Sequence, residues 1–212
     1  MVKPSLTAEK TYHHGDLRRA LLDAALVILQ TKDVKSLSLR GVAREAGVSH
    51  TAPYRHFADK AALLAAVAEE GFVEFGQYLQ KAVDAADADP IESLKAAGVA
   101  YVRYAIQHPV HFRLMFNNHA LAPSCAPATS SFYTASKATF QILVDIVSAG
   151  QAEGTLTGSD PESLATGRWA LVHGLAMLML DGMLPAEEEE AISLTQSIIT
   201  DSLSSILSKP AV

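Results

Sequence analysis

Residues 38–60, SLRGVAREAGVSHTAPYRHFADK, constrain the chain more than any other stretch. Leu39, Val42, Ala43 and Ala46 recur at the three-to-four spacing of one helix face, and Ser38 stands where a hydroxyl caps a helix start. Gly47 follows the last apolar position, where a left-handed cap costs glycine least. Val48 returns an apolar side chain to the core, and Ser49 is placed to cap a second helix over about residues 50–56. That second helix carries polar, small and aromatic side chains without a broad apolar stripe. Held against a packed partner by a glycine turn, it presents those side chains outward. The pattern is a helix-turn-helix over about residues 38–57, whose second helix enters the major groove of DNA.

Side-chain chemistry assigns the candidate contacts. The Ser38 hydroxyl and the amides at its helix start suit a phosphate oxygen. Arg40 projects from the first turn toward either the backbone or a guanine edge. His50, Thr51 and Ala52, with Ser49 just before them, are the base-reading candidates, and Thr51 also offers a methyl to thymine. Arg55 reads as a surface residue and Phe57 as core.

Charge supports this division. The chain of 212 residues has a net charge of −6, yet its first 60 residues hold 10 Lys/Arg against 6 Asp/Glu, and the remainder 7 against 17. A basic head on an acidic body fits a DNA reader with a separate domain that does not touch DNA.

The runs YHHGDLRRALLDAAL and AREAGVSHTAPYRHFADKAAL resemble the DNA-binding domain of the TetR family of bacterial transcriptional regulators, over about residues 12–75. The turn glycine, the Tyr-x-His-Phe and the following lysine fall at the family's spacing. The resemblance implies a three-helix head, with phosphate contacts from Tyr54, His56 and Lys60. Two positions depart from the pattern. Pro53 removes a backbone donor near the first turn of the presenting helix. Ala61 stands where many relatives carry an acid, so the next helix opens on Asp59 without a capping-box partner.

Downstream, residues 59–86 read as one long helix with Leu63, Leu64, Val67, Phe72, Phe75, Leu79 and Val83 on a stripe. Its length lets it belong to both domains and carry movement between them. Asp89 caps a helix opened by Pro90, which stops before Pro109. A short helix then holds Phe112, Met115 and Phe116, and residues 117–128 form a loop. Residues 129–151 are helical, ended by Gly150 and Gly154. Asp160-Pro161 opens a helix in which Trp169 and His173 share a face and Gly174 admits a close backbone. This Trp-x-x-x-His-Gly pattern, with HPVHFRLMF before it, resembles the TetR subgroup named for that tryptophan, histidine and glycine, over about residues 89–184.

The four glutamates at 187–190 open the final helix and offset its dipole. That helix carries Ile192, Thr195, Ile199, Ser202 and Ile206, flanked by Leu194, Ile198, Leu203 and Leu207, more apolar width than one side needs. With the Trp169 helix it forms half of a four-helix bundle completed by a second copy. The resemblance implies the same two-fold homodimer, whose two heads read a near-palindromic double-stranded operator.

The expected fold is therefore all-α: a helix-turn-helix domain over residues 12–75, joined by a long helix to a regulatory and dimerisation domain over residues 76–212. No nucleophile–base pair, glycine-rich phosphate loop or metal set appears, so neither an enzyme nor a cofactor is expected. Adjacent His13 and His14 diverge, and a helix break parts His108 from His111, which argues against metal at either place. Cys125 is the only cysteine, consistent with a reducing cytoplasm. The longest apolar stretch, residues 169–180, is too short to span a bilayer and is broken by His173.

The expected function is a repressor released from its operator by a small apolar or aromatic ligand. The pocket would be lined by some of Tyr101, Tyr104, Phe112, Met115, Phe116, Phe132, Tyr133, Phe140, Trp169, His173 and Met177. His173 reads either as the polar anchor of that pocket or, preferably, as a core histidine packed on Trp169. The alternative is a DNA-binding regulator without small-molecule input, controlled by a protein partner. A filled core over residues 90–184 would favour it.

Overall fold

The computed structural model describes residues 14–87, 89–117, 130–158, 160–204 and 206–207. Lys3 and Lys10 of the N-terminal arm, Tyr12, His13, Ala88, most of the loop over residues 117–128, Thr129 and Cys125 lie outside the described residues. The chain divides into two compact units, Met1–Val67 and Ala68–Val212.

The first unit holds α1 (His14–Thr31), a 3-10 turn (Val34–Ser36), α2 (Leu39–Glu45), a second 3-10 turn (Ala52–Arg55) and the opening residues of α3 (Lys60–Asp84). Its core joins Leu21, Leu22 and Ala25 of α1 to Val42 and Ala43 of α2 and to Leu63 and Val67 of α3, with Leu37, Leu39 and Phe57 between them. Ser38 caps α2 by accepting the Gly41 amide at 3.1 Å. Asp59 caps α3, accepting the Ala62 amide at 2.8 Å.

The presenting segment differs from expectation. Instead of a helix over residues 50–56 it forms one 3-10 turn, Ala52–Arg55, flanked by turns. Ser49 does not cap it, because its hydroxyl pairs with Thr51 Oγ1 at 3.0 Å. Pro53 cannot donate, and its own carbonyl takes both the His56 and the Phe57 amides at 2.9 Å. Phe57, 3% exposed, then returns to the core and ends the segment.

The second unit holds the rest of α3, then α4 (Pro90–Gln107), α5 (Pro109–Asn117), α6 (Ser131–Ala152), α7 (Pro161–Leu180) and α8 (Glu188–Leu203). Asp89, Ser130 and Asp160 each cap a helix with a side-chain oxygen. α4 is the central element, packed against α5, α6, α7 and α8. Gly98 lets α4 approach α8, since a Cβ there would lie 2.4 Å from Ile199 Cδ1. Gly150 is a packing site inside α6 and does not end it: an added Cβ would meet Leu156 at 2.6 Å and Pro90 at 3.0 Å. Gly154, at φ +75°, makes the left-handed turn after the helix. Gly174, by contrast, has no backbone close by within the chain. No helix among the described residues is long and apolar enough to cross a membrane.

Candidate nucleic-acid interface and interior cavity

In the first unit, α2 ends in a complete glycine-capped turn. The Gly47 amide donates to Arg44 O at 3.2 Å and the Val48 amide to Ala43 O at 2.9 Å, with Gly47 at φ +68°. This turn, with Pro53 buried beneath it, exposes Ser49, His50, Thr51, Tyr54 and Arg55. Tyr54 is 52% exposed, uncommon for an aromatic ring with nothing to cover it. Ser38 and Arg40 are exposed on α2, as is Arg44 one turn further on. Ala52, His56 and Lys60 are half-buried. Lys60 donates to Lys35 O at 3.0 Å, so one of its three donors is already committed. Arg44 and Lys35 add exposed positive charge that motif reading passed over. The arrangement offers hydroxyls, an imidazole, a phenol and guanidinium groups on one short exposed segment, the donor set that phosphates and base edges accept.

The second unit holds a partly open cavity of about 410 Å³ between α3, α4, α5, α6, α7 and α8, within the roughly 300–1,000 Å³ of small-molecule sites. Of the residues expected to line a pocket, Tyr101, Met115, Phe116, Phe140, Trp169 and His173 do so. Phe112 does not: it is fully buried behind the wall, 5.5 Å from the Tyr101 ring and 5.7 Å from His173. Tyr104 is buried with its hydroxyl 3.3 Å from Gly71 O, and burial raises its pKa, with Glu74 adding to the shift. Phe132 packs edge-on against Phe72 at 5.4 Å, and Tyr133 and Met177 also lie off the cavity.

A hydrogen-bonded chain crosses the wall. Trp169 Nε1 lies 3.0 Å from Tyr101 Oη, which lies 2.8 Å from His173 Nδ1. Indole N–H only donates, so Trp169 donates to Tyr101, and we assign the one phenol proton to His173 Nδ1, the acceptor within reach. In that assignment Nδ1 is the unprotonated nitrogen of a neutral ring. Burial pushes the His173 pKa below its ordinary value, which favours that neutral state. Burial likewise raises Tyr101, keeping its proton in place. His173 thus packs on Trp169 at 5.9 Å and faces the cavity as well.

Polar residues that sequence reading missed also line the space: Ser136, Lys137, Thr139, Arg168 and Ser202. Ser136 donates to Tyr133 O, Thr139 to Phe72 O and Ala135 O, and Ser202 to Ile199 O. Among the described residues no cluster of His, Cys, Asp and Glu is placed to hold a metal.

Residues 21–67 match the family profile described as bacterial regulatory proteins, tetR family, and residues 94–201 match that of the tetracyclin repressor-like C-terminal domain. The HTH-type transcriptional regulator BetI of Rhizobium meliloti (strain 1021) is 25% identical over 191 residues, covering 86% of this chain and 87% of that protein. An uncharacterized HTH-type transcriptional regulator of Haemophilus influenzae is 43% identical over 72 residues, 34% of this chain and 35% of its own. Among solved structures, a protein of unknown function from Rhodococcus sp. RHA1 superposes with TM-score 0.79 at 37% identity, covering 95% of this chain and all of that one.

Proposed function

The chain belongs to the TetR family of transcriptional regulators, and from that premise we propose that it is a homodimeric repressor released from a near-palindromic operator by a small molecule. The cavity carries this reading. An apolar space of about 410 Å³ is left open where a regulator worked only by a protein partner would gain stability by filling it. The aromatic wall and the Tyr101–Trp169–His173 chain supply a preformed surface whose shape a ligand can select.

The exposed surface of α7 supports the dimer. Gly167, Ala170, Gly174 and Leu178 share one helix side, and a Cβ at either glycine would meet nothing within 4 Å. Leu194 and Ile198 of α8 are only half-buried. A second copy laid on these helices would cover them by a two-fold contact. Each head would then present its exposed segment, with Ser38, Arg40, Tyr54, His56 and Lys60 on phosphates and Ser49, His50, Thr51 and Ala52 toward base edges. The ligand weakens operator binding by its differential affinity for the two states.

The test is selection of bound fragments from genomic DNA by the purified chain, with excess random DNA present. Recovery of a near-palindromic consensus, bound at two protomers per site, is the expected result. Enrichment of no sequence, with binding that vanishes as salt rises, would refute a specific repressor.

A further inference from the structure

The cavity is charged in a way its surroundings are not. Residues 61–212 hold 7 Lys/Arg against 17 Asp/Glu, yet no carboxylate lines the cavity among the described residues, while Lys137 and Arg168 do. Arg168 is half-buried on α7. Its Nη1 donates to Ser202 O at 3.0 Å, which fixes the guanidinium plane against the end of α8. Its Nε is buried and has no hydrogen-bond partner among the described residues. A buried charged donor left unpaired is costly, and the guanidinium keeps N–H groups beyond the Ser202 bond, the kind of paired donors that grip a carboxylate. The nearby hydroxyls cannot substitute as donors, because Ser136, Thr139 and Ser202 spend their protons on backbone carbonyls. Tyr101 is also committed, accepting from Trp169 and donating to His173. Lys137 is exposed, its ammonium 5.9 Å from the Tyr133 ring centre, and adds a second positive charge to the wall.

We propose that the ligand of this cavity is an amphipathic acid, with an apolar body among the aromatic side chains and an anionic head beside the Arg168 guanidinium. This rests on the ligand-responsive reading above and narrows it to one chemical class. A neutral apolar molecule would leave the two positive charges of the lining without a counter-charge, and a cation would meet two like charges.

The test compares three ten-carbon chains that differ only in their heads: decanoate, decanol and decyltrimethylammonium, each below its micelle concentration. The full-length chain carries its own reporter, since Trp169 is the only tryptophan and lines the cavity. Decanoate should change Trp169 emission saturably and bind at least tenfold more tightly than decanol, with decyltrimethylammonium weakest. Arg168→Gln should lower decanoate to the affinity of decanol while leaving decanol unchanged, which reports an intact cavity. Arg168→Lys, with the charge but not the fork, should fall between. Equal affinity for the three heads, or an undiminished decanoate preference in both variants, overturns the acid assignment and leaves the cavity as a ligand site. No saturable response to any of the three overturns both readings. Decanoate that binds without dissociating the operator complex keeps the acid site and removes the release mechanism.

Discussion

Replacing Tyr101 with phenylalanine takes one oxygen from the second unit and breaks two hydrogen bonds. Trp169 Nε1 loses its acceptor at 3.0 Å and His173 Nδ1 its donor at 2.8 Å. Each neutral bond contributes about 1 kcal/mol net, so Tyr101→Phe should cost about 2 kcal/mol. For a chain of this size that lowers the melting temperature by about 4–8 °C, read by circular dichroism or calorimetry. Tyr104→Phe is the internal comparison, because its hydroxyl makes a single 3.3 Å contact to Gly71 O and should cost about half as much or less. A cycle with Trp169→Phe isolates the indole bond, and the double variant should fall short of additivity by about 1 kcal/mol. Equal shifts for the two tyrosine variants, or strict additivity in the cycle, would refute the pair of hydrogen bonds assigned to the Tyr101 hydroxyl.

Other perturbations have equally definite outcomes. Because burial depresses the His173 pKa, unfolding takes up a proton below the ordinary imidazole value of 6.5; stability is full above that pH and declines beneath it. The drop in melting temperature from about pH 7.5 to about pH 5.5 should therefore shrink in His173→Gln, and an unchanged drop refutes the assignment. Gly150→Ala gains roughly 1 kcal/mol of helix propensity but drives a Cβ into Leu156 and Pro90, so a net loss of about 1–2 kcal/mol in denaturant titration is expected; a stabilised variant would contradict the packing. Leu178→Glu, at an exposed position of α7, should yield a folded monomer by light scattering, and a persistent dimer moves the interface elsewhere. Tyr54→Phe should weaken binding to all DNA alike while Thr51→Ala changes sequence preference, and equal effects of both on specific and random DNA would sink the base-reading role.

Much of the architecture is written in local chemistry. Ser38, Asp89 and Asp160 cap helices where their spacing places them, because a cap depends on two or three neighbouring residues alone. Ser49 satisfies the same local rule and does not cap, since the helical turn begins only at Ala52 and the Ser49 hydroxyl pairs with Thr51. The cavity is harder to read. Phe112 and Phe116 lie four apart on α5, yet one is sealed in the core and the other borders open space. The difference comes from what stands around them: the cavity is bordered by residues of α3, α4, α6, α7 and α8, which no pattern on α5 announces. α7 is apolar nearly all round, so its periodicity gives Arg168 no preferred side. Gly150 looked like punctuation because its close neighbours, Leu156 and Pro90, belong to other elements.

The exposed segment of the first unit separates the residues that hold its shape from those that meet the outside. Its backbone is set by the left-handed Gly47, by buried Pro53 and by the return of Phe57 to the core. Ser49, His50, Thr51 and Tyr54 contribute nothing to that core. Their identities can therefore be exchanged at little structural cost, which makes the segment an interchangeable reading head. A library randomised at those four positions, with Gly47, Pro53 and Phe57 kept, should retain folded members at high frequency while diverging in the sequences they select.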